Sequence, residues 1–272
     1  MNSFLTCPMR WARRFGIALA ILIGAVQGVC AEDKFANIHS VAIVSTLGNV
    51  VDMQTQGTRF DYDDFKLHTD WNLDGFVRDY ITKALQARFT VKDSNIDPQT
   101  FSNIESYLFH TVRAQIGDRL RALKSKPDVD ALIVVFPFGL DSTGYVSPGL
   151  AATHASSFLN REGGVTVAAT YSVGVYDAKT GELIDYTYAQ YSGLENRYGG
   201  PPPIESCPDS MWAPSEDQLN NDQRDRIRQE FQSLLTHSLP ITMAKINLIT
   251  KADALALAAS STVAGDPSCE AL

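Results

Sequence analysis

The amino-acid sequence predicts an α/β protein: a two-layer sandwich of a mixed, mainly antiparallel sheet with helices packed on one face. Three observations lead there. From Val165 the chain alternates, with Val165, Val167, Ala169, Tyr171, Val173 and Val175 on one side and Thr166, Ala168, Thr170, Ser172 and Gly174 on the other. A period of two is the mark of a strand. Ala131 to Phe138 is an unbroken apolar run of strand length, which suits a central strand buried on both faces. Between the early strands, Leu73, Phe76, Val77, Tyr80, Ile81, Ala84 and Leu85 recur at helical spacing.

The elements follow in order. Ile38 to Ser45 reads as a buried first strand and Val50 to Thr55 as a second, with Leu47-Gly48-Asn49 turning between them. Phe60 to Leu67 adds a short acidic strand. The first helix starts near Asn72 or Asp70, either of which suits an N-cap, and Asp74 suits the positive end of its dipole. Arg88 to Lys92 is a short strand. Asp97-Pro98 opens a second helix whose apolar stripe runs from Phe101 through Ile116 to Leu123. Gly139 to Gly164 reads as one long Ser/Gly loop.

The alternating strand then enters Asp177-Ala178-Lys179-Thr180-Gly181-Glu182, which is turn chemistry with Gly181 at the left-handed position. Pairing Asp177 with Glu182 sets Val175 against Ile184, Val173 against Tyr186 and Tyr171 against Tyr188. That register predicts a hairpin with one packed side and one wet side. Tyr198 to Pro214 reads as irregular, and Ser215 with Gln218 as a capping box. Leu219 to Leu235 carries a last helix that Pro240 is expected to kink or break before Ile241 to Leu248.

The division expected is a leader over residues 1–31, one α/β domain over 32–250 and a loose Ala/Ser-rich tail over 251–272. Arg10, Arg13 and Arg14 precede an apolar run from Phe15 to Val29, and Val29-Cys30-Ala31 forms a cleavage site. Gln27 and Val29 do not make a lipobox ahead of Cys30. The alternative is an uncleaved anchor, against which the apolar run falls short of the ~20 residues a spanning helix needs; with the leader cleaved, no membrane span is expected. Loss of three arginines moves the formal charge from −8 to −11. An acidic body with no basic stripe argues against nucleic acid as a partner. Cys207 and Cys269 remain after the leader, and in an oxidising compartment they are expected to pair.

Candidate chemistry is sparse. Asp70, Asn72 and Asp74 in Asp70-Trp71-Asn72-Leu73-Asp74-Gly75 match the front half of a calcium loop. The twelfth position, which needs a bidentate carboxylate, holds Ile81. Asp141, Ser142 and His154 crowd the long loop after a buried strand and are the candidate set for a serine hydrolase. Gly139-Leu140-Asp141-Ser142-Thr143-Gly144 lacks the spacing of a nucleophile elbow. The five histidines are scattered, and no glycine loop suits a phosphate or dinucleotide, so no cofactor is expected. Tyr186, Tyr188 and Tyr191 could form a binding patch, although the expected register buries the first two.

The succession of Val41 to Val44, Arg88 to Val91, Asp128 to Val135 and the Val165 to Ile184 hairpin with its D-x-x-T-G-E turn resembles a known α/β domain. It is that of the curli secretion lipoprotein, penicillin-binding-protein activator lipoproteins and the N-terminal domain of the Tol-Pal protein TolB. The resemblance implies a periplasmic, non-enzymatic accessory or scaffold role through contacts with an envelope protein. It carries no catalytic residue over. The alternative expectation is a small-ligand binder or serine hydrolase that uses the 139–164 loop.

Overall fold

The computed structural model describes residues 33–56, 62–101, 104, 109–138, 148–155, 164–192, 194, 202–260 and 269–271. Contacts divide the chain into Met1–Ala36 and Asn37–Leu272. In the first unit, Ala36 N–H donates to the Asp33 carbonyl at 2.9 Å, closing a turn.

Among the described residues, the second unit has ten strands. Strand β1 is Ser40–Ser45, β2 Val50–Gln56, β3 Tyr62–His68, β4 Thr90–Lys92, β5 Ala131–Pro137, β6 Gly149–Ala155, β7 Gly164–Asp177, β8 Leu183–Tyr188, β9 Ile204–Cys207 and β10 Glu270–Ala271. The helices are α1 Leu73–Leu85, α2 Phe109–Ala122, α3 Asn221–Lys245 and α4 Lys251–Ser260. The α/β class and the mixed, mainly antiparallel sheet are as expected. Among the described residues, only β1 with β4, β1 with β5, and β2 with β6 run parallel.

Strand β7 joins two halves of the sheet. Its first half pairs with β6 and β9, its second half with β5 and β8. One wing continues from β6 through β2 to β3, the other from β5 through β1 to β4. Asp130 pins the start of the second wing. Its carboxylate accepts the His39 and Ser40 N–H groups, both at 2.9 Å, and these bonds hold its pKa below the ordinary value.

The helices occupy both faces. The chain leaves β1 for β4 on one side and returns to β5 on the other. Because parallel crossovers are right-handed, reversing direction puts the second connecting helix on the opposite face. Accordingly α1 packs on β1, and α3 packs on β7 alongside α1. On the far face α2 buries Val112, Ile116 and Leu120 against Ala42, Val44, Leu132, Val134 and Tyr176. The helical layer expected on one face therefore has a counterpart on the other.

The hairpin turn forms as expected. Asp177 N–H donates to the Glu182 carbonyl at 2.8 Å, the Asp177 side chain accepts from Lys179 and Thr180, and Gly181 has φ +70. Beyond the turn the register differs. Tyr176 pairs with Leu183 but Val175 pairs with Asp185, so one extra residue enters β8 as a bulge. A one-residue shift reverses every side chain that follows. Tyr188 lies opposite Ser172, and Tyr186 opposite Gly174, so Tyr171 and Tyr188 face opposite sides. There is also no wet side, since β7 is buried along both.

Four further expectations are corrected. Residues 139–164 are not one loop, because β6 lies inside them and pairs with β2 and β7. Residues 198–214 include β9, which finds its partner in β7. The second helix does not run from Asp97. Asp97 accepts from Gln99 N–H at 2.9 Å but caps a single 3₁₀ turn, Pro98–Phe101. Residues 251–260 are a helix rather than a loose tail. Thr250 caps it by accepting the Asp253 N–H at 3.1 Å, and Ala254 and Ala258 are buried.

The capping box belongs to Asn220 and Gln223, not to Ser215 and Gln218. Pro240 does not break α3, which continues to Lys245. Proline removes the N–H that would bond the carbonyl four residues earlier, that of Thr236. The Tyr80 hydroxyl of α1 donates to that carbonyl instead, at 3.1 Å. Tyr80→Phe is thus expected to lower stability by about 1–3 kcal/mol, the cost of leaving a carbonyl unbonded. Urea unfolding would show a lower midpoint with an unchanged slope, and an unchanged midpoint would count against this role.

Candidate functional site

Polar side chains gather in three places. The first lies where β1 and β5 end, near the start of α1. Asp74 accepts from the Ser45 hydroxyl at 2.6 Å and from the Gly48 N–H at 3.1 Å. Burial raises its pKa, and these hydrogen bonds act in the opposite direction. Asn72 stands at the N-cap in the left-handed region, φ 50, and its side chain makes no capping bond. Asp70 is exposed, and Ile81 is buried on the helix. The residues that resemble a calcium loop are thus already helical from Leu73, and Asp74 serves to tie α1 to β1.

The second cluster surrounds His154 on β6. Its Nε2 is 3.3 Å from an Asp209 carboxylate oxygen, and its ring stacks on Trp212 at 5.3 Å. Trp212 in turn meets Phe65 of β3 at 6.2 Å. Gln223 holds this segment by donating to the carbonyls of Ser210 and Trp212. Asp141 and Ser142, the other two members of the candidate hydrolytic set, lie outside the described residues. His154 has an aspartate partner, Asp209, that spacing alone did not suggest.

The third cluster is the most buried and was not foreseen. Glu205 on β9 is 6% exposed and Glu230 on α3 is 7% exposed. Their carboxyl groups hydrogen-bond to each other, and Tyr191 donates its hydroxyl to Glu205. Tyr191 stacks on His237 at 4.4 Å. Burial first, and the Glu205 carboxyl second, push the Glu230 pKa far above the ordinary glutamate value. Burial and Glu205 likewise push the Tyr191 phenol upward. Glu230 is therefore held in its protonated form, able to donate a hydrogen bond.

Beside this pair lies the disulfide. Cys207 and Cys269 are bonded, as expected, and the bridge ties β9 to the stretch that carries β10. A Glu230 carboxylate oxygen and the two Sγ atoms all lie within 4.8 Å of one another. Among the described residues, Glu230 Oε1 has no hydrogen-bond partner.

The local sequence explains this placement. Glu205 and Cys207 are two apart on one strand, so they share a face. Glu230 falls within the stripe Ile227, Phe231 and Leu234, which α3 turns toward the sheet. An acid at a core-facing helical position was the available signal. The tyrosines divide: Tyr186 and Tyr188 meet edge to face at 6.0 Å, with Tyr186 beneath the Arg113 guanidinium at 3.8 Å and Tyr188 stacked on Phe138 at 4.8 Å, whereas Tyr191 joins the acidic pair. No family model matches this chain, and no curated protein matches it.

A raised folded-state pKa means that folding takes up a proton. Its stabilising contribution is complete below the unfolded value near 4.5 and is lost as pH rises toward the folded value. Stability should decline between pH 5 and pH 8 by up to about 1.4 kcal/mol per pH unit. Glu230→Gln, which stays neutral, should flatten that slope. Urea unfolding at several pH values checks this, and equal slopes in the two proteins would refute it.

Proposed function

We propose that this protein is an exported, non-enzymatic accessory or scaffold protein of the cell envelope that works by contact with another protein. The observation that carries this reading is the buried Cys207–Cys269 disulfide. Disulfides persist in oxidising compartments, and the leader read over residues 1–31 agrees with that. The acidic composition agrees with a protein partner rather than nucleic acid. Among the described residues, no helix is long and apolar enough to cross a membrane.

A contact surface is available where α2 meets the β7–β8 turn. A shallow groove of about 370 Å³ is lined by Arg113, Gly117, Arg121, Gly181 and Leu183. Leu183 is one of two large hydrophobic residues left exposed among those described. Ala114 and Glu182 line it as well, so the groove joins an apolar side chain to charges of both signs, which suits a protein segment.

A second reading, hydrolysis, is favoured by one observation, the His154–Asp209 pair stacked on Trp212. In a nucleophilic triad the aspartate accepts from Nδ1–H and Nε2 faces the nucleophile, whereas Asp209 meets Nε2 and leaves Nδ1 as the nitrogen that would take the proton.

Two experiments separate the readings. Crosslinking in cells followed by mass spectrometry should join the protein to one partner, and Leu183→Asp should reduce that product severalfold. Absence of any crosslinked protein would overturn the preferred reading. A fluorophosphonate probe should leave the protein unlabelled. Labelling that is lost in Ser142→Ala and in His154→Ala would establish the hydrolase instead.

A further inference from the structure

We propose that, once the Cys207–Cys269 bond is reduced, the two thiolates and the Glu230 carboxylate bind one thiophilic divalent cation of the zinc(II) class. The site would lie at the junction of β9, α3 and the stretch ending in β10. This goes beyond the contact role proposed above and does not depend on it.

The geometry is of the right size. The three donor atoms lie within 4.8 Å of one another. A tetrahedral zinc site with ordinary Zn–S and Zn–O lengths spaces its donors about 3.3–3.8 Å apart. The two sulfurs are bonded in this structure, so forming the site needs them to move apart and the Glu230 oxygen to move in once the bond is reduced. The donors come from separate elements that the fold already holds together. Cys207 is on β9, Glu230 is on α3, and Cys269 immediately precedes β10.

The chemistry of the donor set selects the cation. Two thiolates and one carboxylate favour zinc over calcium or magnesium, which prefer oxygen alone. A third sulfur, Met211 Sδ, lies 3.7 Å from Cys269 Sγ and adds to the soft surroundings. Glu230 Oε1 gives an independent indication. It is buried with its residue 7% exposed, and it has no hydrogen-bond partner among the described residues. A buried carboxyl oxygen left in that state is costly, and a cation satisfies it. Glu205, bonded to Glu230 and held by Tyr191, is placed as the fourth ligand or as the group that orients Glu230.

The two states exclude each other and interconvert by a balanced reaction. A dithiol attacks one sulfur as its thiolate and forms a mixed disulfide. Its second thiol then displaces the protein sulfur. The dithiol is oxidised by two electrons, and Cys207 and Cys269 gain two electrons and two protons as thiols. Metal binding then releases both thiol protons and the Glu230 proton to solvent.

The test uses the whole chain reduced with a phosphine under nitrogen and titrated with cobalt(II), then with zinc(II). One cobalt per chain should bind with a sulfur-to-cobalt charge-transfer band, and zinc should displace it. The oxidised protein should show no such band. Glu230→Gln should weaken binding at least tenfold, and Cys269→Ser should abolish the band. Absence of the band in the reduced protein, or equal affinity in Glu230→Gln, overturns the proposal. Should reduction unfold the chain, it is refolded from denaturant with zinc or with a chelator. Native circular dichroism recovered only with zinc supports the site, and identical recovery in both overturns it.

Discussion

Strand β7 hydrogen-bonds to four other strands, two along each half of its length, and both wings of the sheet meet on it. Its odd-numbered residues, from Val165 to Val175, lie on the face toward α3, where the Tyr171 hydroxyl meets Ser238 at 2.7 Å. Its even-numbered residues in the second half turn to α2, where Tyr176 is fully buried. Gly174 is part of this arrangement. A Cβ there would come within 2.7 Å of the Tyr176 ring. A fourteen-residue strand buried on both sides leaves little freedom to slide, because each step would expose apolar surface.

The same double burial explains where the sequence misled. Alternation along Val165 to Val175 was legible, since Val and Tyr against Thr and Ser make a plain pattern. The far side was not, because Ala168, Thr170, Ser172 and Gly174 are small and read as solvent-facing. At Gly174 the reason is plain, since the Tyr176 ring lies where a Cβ would stand. The bulge in β8 has no signature in Leu183-Ile184-Asp185, and a single inserted residue is enough to reverse the tyrosines. The continuous apolar run of β5, in contrast, needed no context to be read.

Helix breaks were the other source of error, and at Pro240 the partner lies far away in the chain. Pro240 ought to end a helix, and the tertiary bond from Tyr80 is what satisfies the carbonyl it leaves. Asn72 is the cap that its identity suggested: its carbonyl accepts the first helical bond from Phe76, although its side chain makes no capping bond. The acidic pair was overlooked for a similar reason. Glu205 and Glu230 are unremarkable in their own segments and become informative only when β9 is placed beneath α3. Cysteine pairing was legible because only two cysteines lie after residue 31, whereas their nearness to Glu230 was not.

The bridge between Cys207 and Cys269 closes a covalent ring that contains all of α3 and α4. A protease that cuts the backbone once inside this ring produces no separate fragment, because each side of the nick stays attached through sulfur. The helical cover over β7 would then remain beside its sheet at high local concentration, ready to reseat after any local opening.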